Sequence, residues 1–101
     1  MWIQFNNAFL SIVENRDNKL ELLVRARIKG DIEKIFPEAD VFEDESADYR
    51  YRAFISKAKV AERMMLKMKE INYDNFKNSV KEIDRKSAYS NVWIELRKLH
   101  E

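Results

Sequence analysis

The stretch Ala47–Phe54 reads "ADYRYRAF", in which Tyr49 and Tyr51 alternate with Arg50 and Arg52. Successive side chains of a β-strand point to opposite faces of a sheet. The tyrosines would therefore share one face and the arginines the other. This alternation is what a sheet with one buried face requires, so it predicts a strand whose tyrosines point to the protein core and whose arginines point away from it.

The same period of two runs through Leu20–Ile28, which reads "LELLVRARI". Leu22, Val24 and Ala26 would share the buried face, with Arg25 and Arg27 on the other. Upstream, the apolar runs 2–5 and 8–14 flank Asn6 and Asn7. Because asparagine tolerates a positive φ angle, this pair predicts a tight hairpin between two further strands.

A short helix interrupts the strands. Gly30 ends the strand before it, Asp31 is a candidate N-cap for a helix over 32–36, and Pro37 stops that helix. A further strand is expected over 39–43, followed by a turn and the strand that ends at Ile55.

Helical periodicity begins at Ser56, a candidate N-cap. Three helices are predicted after it, the second of them capped by Asn72 or Asp74. Their apolar positions are, in turn, Ala61, Met64, Met65, Met68 and Ile71; Phe76, Val80 and Ile83; and Ala88, Tyr89, Val92, Trp93, Leu96 and Leu99.

The order of elements predicts one α+β domain over residues 1–101. Its antiparallel sheet has four to five strands and one short inserted helix, and three C-terminal helices cover one face. Trp93 is expected to be a core anchor. The predicted core comprises Leu10, Ile12, Val24, Ala26, Tyr51, Ala53, Met64, Met68, Trp93 and Leu96.

Composition excludes several classes of site. The chain has no Cys, so thiolate catalysis, disulfides and thiolate metal sites are excluded. Its one histidine, His100, cannot build a metal site alone, and no phosphate loop, dinucleotide fingerprint or HExxH motif is present. We therefore expect no cofactor and no metal. No apolar run approaches a membrane helix and the first residues lack signal-peptide features, which favours a cytoplasmic protein without a membrane partner.

Charge is balanced overall but unevenly spread. The net charge is +1, with 8 Lys/Arg against 11 Asp/Glu in residues 1–55 and 11 against 7 in the remainder. The segment 38–48 carries six acids and no base. Its simplest interpretation is a solvated loop between strands.

The best candidates for partner contact are Arg25, Arg27, Arg50 and Arg52. If both strands place their arginines on the same sheet face, guanidinium groups concentrate there and suit phosphate recognition. The structural alternative is cross-strand pairing with Asp40, Glu43 or Asp44. The nearly neutral net charge favours pairing, because nucleic-acid binders usually carry a basic excess.

The chain also resembles a family of small uncharacterised bacterial proteins. The stretches that carry the resemblance are "FLSIVENRDN", "LLVRARIKGDIEKIFPEADV", "ADYRYRAFI" and "INYDNFKNSVKEIDRKSAYSNVW", which together extend from Phe9 to Trp93. The resemblance implies one intact domain in an intracellular setting. It implies no activity and no site residue.

Four functions are compatible with these features. The leading hypothesis is a small non-enzymatic protein-binding or regulatory domain, with a homodimer as one form of its assembly. The alternatives are a nucleic-acid-binding protein that uses the arginine-bearing sheet face, a phage or mobile-element inhibitor of a host system, and a small enzyme without a recognisable motif. A basic sheet face free of acidic partners would favour nucleic acid, whereas a pocket with convergent carboxylates would favour the enzyme.

Overall fold

The architecture is a five-stranded antiparallel sheet with helices packed on one face. The computed structural model describes residues 1–100. Its strands are β1 Trp2–Gln4, β2 Phe9–Glu14, β3 Glu21–Ala26, β4 Phe42–Glu43 and β5 Tyr51–Ser56, and its helices are α1 Asp31–Ile35, α2 Lys57–Lys69, α3 Phe76–Ser79 and α4 Ile83–Leu96, followed by a 3₁₀ turn Arg97–His100. The strand order is β1-β2-β3-β5-β4. The predicted α+β class is confirmed.

The core lies between one sheet face and the first two helices. Val24 of β3 faces Ile12 of β2 and Ala53 of β5 across the sheet, so one face gathers small and branched apolar side chains. Ile32 and Ile35 of α1 pack on this face. Together with Val60 of α2 they complete a cluster with Ala8, Leu10, Ile12, Val24, Ala26, Phe36, Ala53 and Ile55. These residues bury the apolar surface that drives folding.

Helix α2 packs on the sheet through a different face from the one that was predicted. Its side chains that approach the core are Val60, which is buried, and Met64, which is half-buried. Met68 is 72% exposed, so its predicted place in the core is wrong. Two stripes with helical spacing run along α2, and the stripe that contains Val60 is the one that meets β5. Ser56 caps the helix as predicted, since its hydroxyl accepts a hydrogen bond from the Lys59 amide at 3.1 Å.

The second half of α4 extends beyond the core. Trp93 is 47% exposed and Leu96 is 54% exposed, so their predicted burial is wrong. Tyr89 is the last buried residue of this helix. Trp93 instead lies under the ammonium group of Lys77, whose Nζ is 3.5 Å from the ring centroid, and this contact joins α4 to α3.

The local sequence predicted the first hairpin turn correctly but not the N-caps of helices α1 and α3. The Asn6-Asn7 hairpin is confirmed by a hydrogen bond from the Phe5 amide to the Ala8 carbonyl. Helix α1, however, is preceded by Gly30 with a φ angle of 92°, and the side chain of Asp31 does not cap it. For α3 the cap is Asn75 rather than Asn72 or Asp74. Within residues 1–100, none of the helices has the length and apolar character needed to cross a membrane.

Candidate functional site

One row of side chains crosses all five strands on the sheet face opposite the core. Ser11 of β2 is the register partner of both Trp2 in β1 and Arg25 in β3. Arg25 in turn faces Arg52 of β5, and Arg52 faces Phe42 of β4. Register partners in antiparallel strands point to the same face. We call this series, Trp2–Ser11–Arg25–Arg52–Phe42, the cross-strand row.

Each end of the cross-strand row is an aromatic ring supported by a second ring. Trp2 is 76% exposed and contacts Phe9 edge-on, with 6.4 Å between the ring centroids. At the other end, Phe42 and Phe54 lie 5.7 Å apart, and both are exposed. Large apolar rings left exposed on a sheet face mark a surface available for contact.

The centre of the face is built around Tyr49. The guanidinium carbons of Arg25 and Arg27 both lie 4.6 Å from the centroid of its ring. Arg52 donates from Nη1 to the Tyr49 carbonyl at 3.3 Å, and Arg25 donates from Nη2 to Ser11 Oγ at 2.6 Å. We call Arg25, Arg27 and Arg52 the arginine cluster. Cation–π contacts of this kind hold guanidinium groups in place without neutralising them.

The position of Tyr49 corrects the predicted alternation. Tyr49 was expected on the face opposite Arg50 and Arg52, but it lies with the arginine cluster. The Asp44 amide donates to the Arg50 carbonyl at 2.8 Å, which closes the hairpin there, and regular strand structure begins only at Tyr51. The period of two therefore does not extend back to Tyr49. The predicted position of Arg50 opposite Tyr51 is also wrong, since the Arg50 guanidinium carbon lies over the Tyr51 ring, 5.8 Å from its centroid. Tyr51, within the strand, packs against the core as predicted.

Arg50 differs from the arginine cluster because it is paired. Its Nη2 lies 3.2 Å from Glu43 Oε2 and 3.0 Å from Glu45 Oε1, which confirms that at least one of the arginines pairs with a carboxylate. The hydrogen bond to Glu43 raises the pKa of Arg50. Nearby, the hydroxyl and amide of Ser46 hydrogen-bond Asp44 and lower the pKa of that carboxyl group. The acidic loop thus pairs with Arg50 and stabilises its own turn, and the charge of Arg52 also helps to lower the pKa of Asp44.

Arg25, Arg27 and Arg52 have no such partner. In the part of the chain that the structure describes, no carboxylate oxygen lies within 4 Å of their side-chain nitrogens. Arg25 and Arg52 face each other directly, and like charges in that position destabilise a sheet. In addition, Arg25 Nε is buried without a hydrogen-bond partner among residues 1–100. The cluster therefore has no ion pair within 4 Å among the described residues, and Asp44 interacts with Arg52 only at longer range.

A second arginine site, which sequence reasoning missed, lies at the start of α1. Arg85 of α4 donates from Nη1 and Nη2 to the two carboxylate oxygens of Asp31 at 3.0 and 2.8 Å. The Phe9 amide donates to Asp31 Oδ2 at 3.0 Å, and the Tyr89 hydroxyl donates to the Ala8 carbonyl at 3.0 Å. Burial opposes the charged form of Arg85, but the bonds to Asp31 and Tyr89 outweigh it and raise its pKa. No local pattern marks this cluster, because Arg85 and Asp31 are 54 residues apart.

An apolar groove of about 560 Å³ lies between the β1–β2 hairpin and the second half of α2. The one carboxylate that lines it belongs to Glu70, and Lys67 pairs with that group at 3.2 Å. No group of three or more potential metal ligands occurs within residues 1–100. The groove thus brings together no convergent carboxylates, and the arginine-bearing sheet face is the more complete candidate site.

No protein-family model matches the chain, and neither a curated protein nor a solved structure shows a significant match. The resemblance to small bacterial proteins stays a prediction.

Proposed function

We propose that the chain is a nucleic-acid-binding protein and that it binds through the sheet face that carries the arginine cluster. The observation that carries this proposal is the arrangement of Arg25, Arg27 and Arg52 without carboxylate partners, between exposed aromatic rings. Phosphate groups match the planar fork of guanidinium. Bases stack on aromatic side chains. The arginine-bearing sheet face therefore supplies both guanidinium groups for phosphates and aromatic rings for bases.

The charge distribution supports the same function despite the net charge of +1. Two acidic residues of the segment 38–48, Glu43 and Glu45, are paired with Arg50 and so oppose a polyanion less than unpaired carboxylates would. A local basic surface matters more for binding than the total charge, because attraction between exposed charges is screened within about 10 Å at 0.1 M salt. An anion at the cluster would also offset the repulsion between Arg25 and Arg52.

The test is a fluorescence anisotropy titration with labelled oligonucleotides at several salt concentrations. The wild-type protein should bind, with an affinity that falls as salt rises. The double variant Arg25→Gln/Arg52→Gln should lose most of the affinity. If two phosphate contacts to a single strand are removed, the slope of log affinity against log salt should decrease by about 1.4.

Arg50→Gln is the matched control for the single variant Arg52→Gln, because each removes one positive charge from the same segment and Arg50 is already paired with Glu43 and Glu45. It should leave most of the affinity intact. Equal affinity of the wild-type protein and the double variant would contradict the proposal. So would an absence of binding at low salt.

A second candidate function, protein binding, is favoured by one observation on α4. Arg85, Tyr89, Val92, Leu96 and Leu99 recur at spacings of 4, 3, 4 and 3, so they form one stripe. The first two are buried against the body of the protein, whereas the last three are exposed. We infer that a second copy of the chain covers this exposed half, because two copies of one apolar stripe can pair about a two-fold axis.

Sedimentation over a wide range of protein concentrations tests this second function. The wild-type protein should shift from monomer to dimer, and Leu96→Lys should remain a monomer. Ile83→Lys is the matched control, since Ile83 is an exposed apolar residue at the other end of the same helix. A wild-type monomer at every concentration would exclude the dimer.

A further inference from the structure

We propose that the ligand of the sheet face is a single strand of nucleic acid that lies along the cross-strand row, with a base stacked at each end. This inference rests on the proposed function and specifies its ligand. Neighbouring strands are about 4.8 Å apart, so the four steps of the row place its two aromatic ends roughly 19 Å from each other. The arginine cluster lies between them. A nucleic-acid strand that crosses the sheet along the row therefore contacts the ring of Trp2, then the arginine cluster, and then the ring of Phe42.

The two ends are suited to stacking on bases. Trp2 and Phe42 are exposed, and each contacts a neighbouring ring, Phe9 or Phe54. An aromatic side chain has only two χ angles, so it loses little side-chain entropy when a base stacks on it. Four-stranded sheets that bind single-stranded RNA stack two or three bases on aromatic residues. The row offers two such positions, one on each edge strand.

The centre of the row is suited to the backbone that joins those bases. Arg25 and Arg52 are register partners, so their side chains leave adjacent strands on the same face. The ring of Tyr49 positions the guanidinium groups of Arg25 and Arg27. A phosphate bound here would approach guanidinium groups from both strands. It would neutralise part of a cluster that has no carboxylate partner among the described residues.

The geometry favours a single strand over a duplex. Paired bases are stacked on one another, so a duplex presents their edges in its grooves and not their faces. Reading those edges requires a helix or a ribbon that enters a groove. Here α1 and α2 pack against the opposite face of the sheet, and the rings of the row are part of the sheet surface.

The experiment follows the fluorescence of Trp2 in a Trp93→Phe background, which leaves one tryptophan. An oligothymidylate, an oligouridylate, an oligonucleotide of the same length without bases and a duplex are titrated at low salt, with single strands about 10 nucleotides long. Either single strand should quench Trp2. The strand without bases should bind more weakly and leave the fluorescence unchanged, because it offers phosphates without rings. The duplex should bind at least about tenfold more weakly than the single strands.

Variants at the other end of the row complete the test. Phe42→Ala and Phe42→Leu should each weaken single-strand binding about fivefold or more, since either change removes a stacking ring. Ile83→Ala, an exposed apolar residue on α4, is the matched control and should bind as the wild-type protein does. Circular dichroism verifies that each variant is folded.

The outcomes separate the two proposals. Duplex binding as tight as single-strand binding, with Trp2 unquenched and the Arg25→Gln/Arg52→Gln variant inactive, would overturn the single-strand inference and leave the proposed function standing. No binding of any nucleic acid at low salt would overturn both.

Discussion

The molecule uses arginine in two opposite ways. The buried Arg85 of α4 forms two hydrogen bonds with Asp31 at the start of α1 and so joins these two helices. On the open sheet face, Arg25 and Arg52 face each other and have no carboxylate partner in the described residues. The first site satisfies its charge within the chain, whereas the second has no carboxylate within 4 Å among the described residues. Removal of an arginine should therefore harm stability at the first site and binding at the second.

The largest effect on stability should come from Arg85→Ala. It removes both hydrogen bonds that Arg85 donates to the fully buried Asp31 carboxylate and leaves only Lys34, whose Nζ lies 3.6 Å from Asp31 Oδ1, as a countercharge. Breaking a buried ion pair from one side typically costs about 3–5 kcal/mol of unfolding free energy. Urea denaturation measures this loss. A double-mutant cycle with Asp31→Ala should show strong coupling, and a loss below about 1 kcal/mol would mean that water already reaches the pair.

A smaller effect is expected for Tyr89→Phe. The change removes the hydroxyl that donates to the Ala8 carbonyl and should cost about 1 kcal/mol at neutral pH. Burial raises the pKa of Tyr89, although Arg85 opposes the shift. The folded protein then holds the phenol proton more tightly than the unfolded chain, so stability from this group is full below pH of about 10 and is lost as pH rises through the raised pKa.

The difference in unfolding free energy between the wild-type protein and Tyr89→Phe should accordingly shrink in alkaline solution. Urea midpoints at neutral pH and above pH of about 10 measure it. A difference that stays constant across this range would show that Tyr89 is as accessible to solvent as in the unfolded chain.

The smallest changes in stability are expected for substitutions of Arg50 and Arg52, and these changes should differ between the two residues. Arg50→Thr loses ion pairs to Glu43 and Glu45 that are exposed to solvent and screened by it, so it should lower stability only slightly. Arg52→Thr relieves repulsion with Arg25 but also loses the hydrogen bond to the Tyr49 carbonyl, so the two effects should largely cancel. High salt should reduce the difference between the two variants. A greater loss of stability for Arg52→Thr than for Arg50→Thr would show that Arg52 is structural.

Sequence patterns predicted the sheet faces because strand periodicity is local. The alternation in "LELLVRARI" placed Val24 in the core and Arg25 on the open face, and both positions are confirmed. The cross-strand row was not predictable in the same way, because it depends on the register of four strand pairs. Tyr49 was misplaced because the closure of a hairpin, and not composition, decides where a strand begins.

The helices show a second limit of sequence patterns. In α2 two stripes satisfy helical spacing, and only the position of β5 selects the one with Val60. In α4 the apolar stripe extends past the part of the helix that packs on the rest of the protein. Periodicity therefore predicted that Leu96 is buried, whereas it is exposed. The pair Asp31–Arg85 joins residues far apart in the chain, and the sequence around either residue gives no indication of its partner.

The contacts of α4 also have a kinetic consequence. Tyr89 reaches a carbonyl 81 residues earlier in the chain, whereas the β2–β3 hairpin forms between close neighbours. Contacts that close long loops have a larger entropic cost than contacts between close neighbours. Helix α4 should therefore dock after the sheet has assembled. In the native state the same helix should open as a separate cooperative unit. Its amides should then exchange with deuterium sooner than those of β3, which lies at the centre of the sheet.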